Sequence, residues 1–280
     1  MKTVAPPPTR ESLVRVAQAL PAAPRILAQL GILLGDINAS TDDIVLLLKR
    51  DAALTTRVLR VSNSVGYGAE MPCASLEEAL LRVGFKEVYR IAGFAAAARM
   101  TGQFLPLYGM TAAQFRENAL LTALTMEKLA HYGGLDPREA YTTGLLRSVG
   151  KVALDHLAKN GTNRVYEYAS RMPLAEWELA HVGISNVDAA AMILEEWNFP
   201  VATLQAIRGH YEVSKTDWLT LLLHLAACAA ELCGHGCPGE QGYFILTPDK
   251  LAEAQMDQAQ FDDAMRGALE EFGPLRVAVS

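Results

Sequence analysis

The chain has 280 residues, a formal net charge of −6 and four cysteines, and 51% of its residues are hydrophobic. A chain of this length can bury a sizeable core, as one large domain or two moderate ones. The composition excludes a disordered protein, and the net acidity argues against direct nucleic-acid binding. Four cysteines are too few for a disulfide framework, so we expect a reducing, cytoplasmic compartment.

Neither the N-terminal residues nor the longest apolar stretch has the pattern of a membrane-targeting or membrane-spanning segment. Residues 1–10 include three consecutive prolines and predict a flexible lead-in without the apolar region of a signal peptide. The longest apolar stretch, 219–232, is shorter than the about 20 residues that span a bilayer. We therefore expect a buried helix there and no membrane contact.

Helix signals begin early in the chain. Ser40 or Thr41 is placed to cap a helix whose first turn is acidic, where the helix dipole favours carboxylates. Ser75 and Glu78 have the spacing of a capping box, and Gly84 is a helix-ending residue after them. These signals predict consecutive helices in the first 100 residues.

The second part of the chain continues in the same way. A long helix is predicted from Thr111 to His131, and Asp136 caps the next one. An apolar stripe at helical spacing runs over residues 187–197. Residues 242–247 are strand-like. The sequence therefore predicts an all-α fold with at most one short hairpin, near residues 242–247.

The stretch GLLRSVGK, residues 144–151, has glycines and a lysine that suggest a phosphate-binding loop. That loop needs four residues between its glycines and a Ser or Thr after the lysine, so that backbone amides cradle phosphates and the hydroxyl holds magnesium. Here five residues intervene and Val152 follows Lys151. The phosphate-loop interpretation is excluded.

A group of histidines and cysteines near residues 224–237 is a candidate metal site. His224, Cys228, Cys233, His235 and Cys237 are zinc-type ligands within one short region, although no C-x₂-C pair occurs and small cysteines are common in helical cores. Zinc binding and core packing both remain open for them.

Basic residues recur at positions 82, 86 and 90 with helical spacing. A stripe of this kind could follow a phosphate backbone, but such stripes are more often hydrated surface. We predict a solvated face.

Several phrases, taken together in order, resemble the HDOD family, the HD-related output domain of bacterial signalling proteins. They are LPAAP (20–24), KRDAALTTRVLRVSNS (49–64), SLEEALLRVGF (75–85), GLLRSVGKVAL (144–154), VGISNVDAAAMILEEWNFP (182–200) and IRGHYE (207–212). Ala52 stands where the family usually has proline. The resemblance covers roughly residues 15–235.

The resemblance implies a division of the chain. It predicts an N-terminal helical bundle over residues 11–104, an HD-like helical bundle over residues 111–235, and a C-terminal helical extension over residues 236–280. Asn63 and Ser64 form a family signature turn. We expect their side chains to close the preceding helix through hydrogen bonds to backbone, with an exposed partner-binding turn as the alternative.

The resemblance also locates the metal ligands of catalytic HD proteins. Those positions fall, in order, at Asn118, Arg147, Ser148, Asn186, His210, Tyr211 and, for a late Asp, near Ala227. His210 is the one that could still bind a metal, and the permanently charged Arg147 would repel one. The resemblance therefore implies a degenerate HD site with no metal or other cofactor. We expect Arg147 to lie near Asn118, Asn186 or His210, or to pair with a glutamate.

The function implied is a non-catalytic signal-transduction protein, a response-regulator type of output module that acts through another signalling protein. The chain has no room for a receiver domain of its own. Two alternatives remain: an HD-type metal-dependent phosphohydrolase, and a sensor in which Arg147 and Lys151, four residues apart on one helix face, bind an anion or a nucleotide in the vacated pocket.

Overall fold

The computed structural model describes residues 7–20, 23–36, 38–63, 72–100, 104–158, 166, 172–213 and 217–279. Its helices and strands are α1 (Arg10–Ala19), α2 (Ala23–Gly35), α3 (Thr41–Lys49), α4 (Ala52–Ser62), α5 (Leu76–Met100), β1 (Phe104–Leu105), β2 (Met110–Thr111), α6 (Ala112–Gly133), α7 (Pro137–Leu146), α8 (Val149–Ala158), α9 (Leu174–His181), α10 (Asn186–Glu196), α11 (Val201–Gly209), α12 (Trp218–Leu232), α13 (Pro248–Glu253) and α14 (Gln258–Val279). The predicted all-α fold is confirmed.

Most helix starts follow local sequence signals. The Ser40 hydroxyl accepts the backbone N–H of Asp43, and the Asp43 carboxylate accepts that of Ser40, which makes a reciprocal capping box for α3. Asp136 caps α7 as predicted. Gly84 interrupts the helical backbone as predicted: with φ of +80° and ψ of 164° it ends the first segment of α5, and a second helical segment follows directly.

The short hairpin lies elsewhere than predicted. Phe104 pairs with Thr111 and Leu105 with Met110, and a 3₁₀ turn over Pro106–Tyr108 joins the two strands. Residues 242–247 form turns and irregular backbone. The predicted position was wrong because the aromatic side chains of that stretch pack against Tyr211 and His210 as a loop, without a strand partner.

Two apolar cores share helix α6. One joins α2–α5 to faces of α6 and α7 and to the end of α14, and the other joins α1 to α6–α12. Helix α1 contacts α8 and α10, and Trp197 Nε1 donates to the Ala17 carbonyl at 3.2 Å. Helix α1 therefore packs in the same core as α6–α12 and not in that of α2–α5. Helix α14 returns along α6 and touches α4 and α5.

Two glycines of GLLRSVGK allow helices to approach closely. A Cβ atom on Gly150 would lie 1.8 Å from the Asn186 carbonyl oxygen, and one on Gly144 would lie 2.8 Å from the Ala123 Cα. Any larger residue would push α8 from α10 or α7 from α6. These glycines keep residues 147–151 at the centre of the HD-like bundle.

The residues at 82, 86 and 90 do not form a solvated stripe, so that prediction was wrong for Arg90. Arg90 is buried and its Nε donates to Glu127 Oε2 at 2.7 Å. Lys86 is largely exposed but also pairs with Glu127. The spacing of the cations gave no sign of their distant acidic partners, Glu127 on α6 and Glu271 on α14.

Asn63 joins the end of α4 to the segment before α5. It caps α4, its Nδ2 donates to the Cys73 carbonyl at 3.0 Å, and its Oδ1 accepts the Cys73 N–H at 2.6 Å. These are side-chain bonds to backbone, but ten residues along the chain rather than in the helix itself. Ser64 lies outside the described residues.

Among the residues that the structure describes, no helix is both long and apolar enough to cross a membrane.

Candidate functional site

The site is a buried polar cluster at the centre of the HD-like bundle. Its residues come from α6, the break between α7 and α8, the first residue of α10, the end of α11, and the 233–247 segment, which joins α12 to α13. All seven predicted positions are buried: Asn118, Arg147, Ser148, Lys151, Asn186, His210 and Tyr211. The structure brings them together around a carboxylate that the sequence analysis did not single out, that of Glu240.

Arg147 is the largest fully buried side chain of the described residues. Its Nη1 donates to Glu240 Oε2 at 2.8 Å, and its Nη2 donates to Asn118 Oδ1 at 2.7 Å. The guanidinium carbon also lies 5.1 Å from the centre of the Phe244 ring. A guanidinium held in this way is neutralised and packed on several sides, and burial is tolerated because the charge is paired.

The Glu240 carboxylate accepts two hydrogen bonds and forms an ion pair with a second cation. Besides Arg147, the Lys151 ammonium lies 3.0 Å from Oε1, and the Tyr211 hydroxyl donates to the same oxygen at 2.6 Å. The Lys151 contact lacks the alignment of a hydrogen bond, so its contribution is one of charge. Burial alone would raise the pKa of Glu240, but Arg147 and Lys151 outweigh it and hold that pKa at about 2.

A second buried carboxylate, Glu178, balances the second cation. The Tyr108 hydroxyl donates to it at 2.8 Å, and the backbone N–H of Asn186, at the start of α10, donates at 2.7 Å. Asn186 Nδ2 in turn donates to the Tyr211 oxygen. Burial raises the pKa of Glu178, and the Lys151 charge opposes that shift. One hydrogen-bonded network, to which Lys151 contributes its charge, therefore joins Arg147, Glu240, Tyr211, Asn186 and Glu178.

The His210 ring faces the Arg147 guanidinium. Its Nδ1 lies 2.6 Å from the Ile207 carbonyl, which assigns the proton to Nδ1 and leaves the Nε2 lone pair facing Arg147 Nη1 at 3.3 Å. Burial and the Arg147 charge lower the pKa of His210 to about 3, so the ring is neutral at pH 7. The guanidinium thus occupies the place that a cation bound to His210 would take.

The donor set does not fit the divalent metal of catalytic HD proteins. Such a metal needs several imidazole or carboxylate ligands around one point. Here the Arg147 and Lys151 cations contact the nearest carboxylate, and Ala227 lies in an apolar cluster with Val187 and Phe244. Among the described residues, no group of three or more His, Cys, Asp or Glu side chains could hold a metal ion.

The zinc-type residues lie in different surroundings. His224 Nδ1 contacts the His210 carbonyl, Cys228 belongs to the apolar cluster around Phe244, and His235 lies 3.2 Å from Glu117. Cys237 packs against Arg147 and Ser148, and burial together with Glu240 raises its thiol pKa to about 11. That thiol is therefore protonated at neutral pH and is a poor nucleophile.

The 233–247 segment is fixed over the site by several helices. Asn118 Nδ2 donates to the His235 carbonyl at 2.8 Å, and Tyr243 stacks on Tyr211 with ring centres 4.3 Å apart. Phe244 stacks on the His210 ring. The segment thus closes the cluster from solvent and supplies the glutamate that neutralises it.

Sequence reasoning missed Glu240 and Glu178. The available signal was indirect: two cations on an apolar stretch of the chain require a buried carboxylate. With 31 acidic residues in the chain, that requirement did not identify which one, because Glu240 lies 93 residues from Arg147.

Comparison with known proteins agrees with the fold and with the family. The HDOD domain matches residues 20–213, which is more than half of the chain. The chain belongs to the HDOD family. An uncharacterised protein of Treponema pallidum is 23% identical over 198 residues, which are 69% of this chain but only 38% of that protein, so the chain spans well under half of that relative's length.

Solved structures share the fold at low identity. An HDOD domain protein of unknown function from Geobacter sulfurreducens is 20% identical, with a TM-score of 0.62 over 96% of this chain and 97% of that one. A candidate phosphohydrolase from Shewanella amazonensis SB2B is 18% identical, with a TM-score of 0.65 over 96% and 98%. A protein from Marinobacter aquaeolei VT8, named as a candidate signal transduction protein, is 20% identical, with a TM-score of 0.65 over 91% and 59%.

Proposed function

We propose that this HDOD chain is a non-catalytic signalling protein that acts by binding another protein, with its HD site converted into a structural ion-pair cluster. The observation that carries the proposal is the contact of Arg147 with Glu240 at 2.8 Å, beside the one remaining histidine of the metal set. A guanidinium cannot be a ligand, and its charge disfavours a bound divalent cation.

The signalling part of the proposal draws on membership of the HDOD family. Because fold likeness at this identity does not transfer activity, the name of the Shewanella amazonensis protein gives no support for hydrolysis here. The anion-sensor alternative is weakened by Glu240, since an anion would have to displace a carboxylate already bound to Arg147 and Lys151.

Metal content and hydrolysis test the non-catalytic part. The chain purified without chelator is analysed for manganese, iron and zinc, and is assayed with bis(p-nitrophenyl) phosphate and added Mn²⁺. We expect no stoichiometric metal and no turnover above the blank. The double variant Arg147→His with Ser148→Asp should behave in the same way, because Asn118, Asn186 and Ala227 still lack ligand atoms of the required kind.

Bound metal together with turnover would contradict the proposal. One equivalent of metal per chain, lost when His210 is changed to Ala, together with turnover in the unmodified chain, would establish the phosphohydrolase alternative.

A further inference from the structure

Three neighbouring clefts, of about 350, 610 and 490 Å³, are each lined by residues of helix α2. The first and the middle cleft share Ile32, and the middle and the third share Tyr89, Asp136 and Arg138. We call these clefts together the α2 groove. Its walls come from both cores, with α2 and α5 on one side and α7 and the start of α11 on the other.

The rim of the α2 groove exposes large apolar side chains. Ile32 is 71% exposed, Val201 is 66% exposed, and Leu46 in the first cleft is 62% exposed. Tyr89 and Phe199 line the middle cleft. Isolated exposed apolar residues are ordinary, but several around one elongated concave surface are typical of a site that binds a partner.

The middle cleft also carries one charge without a partner. Arg138 and Asp136 neutralise each other through contacts of 2.8 and 3.1 Å. The half-buried Glu139 carboxylate makes no ion pair or hydrogen bond with any described residue. Its position in the first turn of α7 makes it tolerable, yet burial and the nearby Asp136 raise its pKa. The charged residues that line the middle cleft, Asp136, Arg138 and Glu139, therefore leave it with one negative charge in excess.

We propose, on the basis of the function proposed above, that the α2 groove binds an apolar segment of the partner protein that places a Lys or Arg side chain against Glu139. The middle and third clefts adjoin through the three residues that they share, and the first adjoins at Ile32, so that together they offer more surface than one compact small molecule would cover and suit a peptide. Apolar side chains would cover Ile32 and Val201, and the basic group would supply the charge that the middle cleft lacks.

Selection from a phage-displayed library of random 16-residue peptides, with the whole chain as target, tests the proposal. The expected peptides combine several apolar residues with a Lys or Arg. Their affinity should fall more than about tenfold for Ile32→Asp and for Val201→Asp. The second variant is a mild change structurally, because an acid is favoured in the first turn of α11. Glu139→Gln should weaken the basic peptides by about fivefold and leave neutral analogues unchanged.

Leu232→Asp is the matched control, since Leu232 is 62% exposed but lies outside the groove. Recovery of no peptides, equal binding by the groove variants, or no preference for basic residues would overturn the assignment of the groove. Metal content and phosphodiester turnover are measured separately on the same preparations. If the peptide tests fail while neither bound metal nor turnover is found, the groove proposal is rejected and the proposed non-catalytic function stands. Metal-dependent turnover would instead reject the proposed function itself.

Discussion

Two ion-pair clusters in the described part of the chain differ chiefly in the exposure of their side chains to water. The inner cluster joins Arg147 and Lys151 to Glu240, with all three side chains at most 2% exposed. The outer cluster joins Arg90 to Glu127 and to Glu271, which is 32% exposed. Lys86 and Lys128 add further contacts to the outer carboxylates.

The difference in burial gives the clusters different consequences. Water and salt can compensate a lost partner in the outer cluster, which connects α5, α6 and α14. Nothing compensates a lost partner in the inner one, because its desolvation penalty is offset only by the complete set of contacts. The inner cluster therefore specifies one arrangement of the 233–247 segment, while the outer cluster contributes modestly to stability.

The largest effect expected from this comparison is that of Glu240→Gln. The change keeps the shape of the side chain but leaves Arg147 and Lys151 buried without their shared carboxylate. We expect a loss of about 3–5 kcal/mol in the free energy of unfolding. Urea denaturation at pH 7 measures it. A loss below about 1 kcal/mol would show that water enters the inner cluster and would remove the contrast with the outer one.

The elements of this contrast were predictable to different degrees. The caps at Ser40 and Asp136 depend on residues within three positions of each other, so the sequence alone was sufficient for them. The family resemblance singled out Arg147 and His210, whose side chains lie 3.3 Å apart in the structure. The resemblance to the family could not identify Glu240, because this residue lies beyond residue 213, where the family match ends. It is also separated from its partner Arg147 by 93 residues.

The outer cluster was not predicted either, because its contacts also join residues that are far apart in the sequence. Helical spacing of the cations at positions 82, 86 and 90 shows that they share a face, but not what covers that face. Helix α14, which carries Glu271, returns from the far end of the chain to lie along α6. Arg90 is therefore buried by a long-range contact that its local pattern does not contain.

A pH titration distinguishes the inner cluster from the rest of the chain through His210. Its pKa is about 3 in the folded protein, against an ordinary value of 6.5. The unfolded chain therefore binds a proton first, and stability that is complete above pH 6.5 is lost as the pH falls toward 3. The loss should reach about 1.4 kcal/mol per pH unit within that window.

Unfolding free energies measured from pH 7 to pH 4 check this expectation. His210→Gln should lower the slope between pH 6.5 and 4.5 by the share of one proton, and the remaining share comes from His224, whose pKa burial lowers to about 4. Glu240 contributes only below this window, since that carboxylate has a folded pKa of about 2 and an ordinary value of 4.5. His131→Gln, which changes an exposed histidine at the end of α6, serves as the control and should leave the slope as it was. An equal slope in all three proteins would mean that His210 is hydrated.

The smallest effect expected is in the outer cluster, from Glu271→Gln. Arg90 keeps Glu127 at 2.7 Å and Glu87 at 3.1 Å, and Glu271 is already in contact with water. The Arg90 Nη2 contact with Glu271 also lacks the alignment of a hydrogen bond, so what is lost is mainly charge attraction. We expect the free energy of unfolding to fall by about 0.5–1 kcal/mol at low salt, and this loss to approach zero at about 1 M NaCl, where screening acts within about 3 Å.

The loss caused by Glu240→Gln should persist at the same salt concentration, since no ions reach a cluster closed by the 233–247 segment. Parallel urea denaturations of both variants at low and high salt measure the difference. Equal salt sensitivity in the two would show that the clusters are equally open to solvent, and the structural distinction between them would be lost.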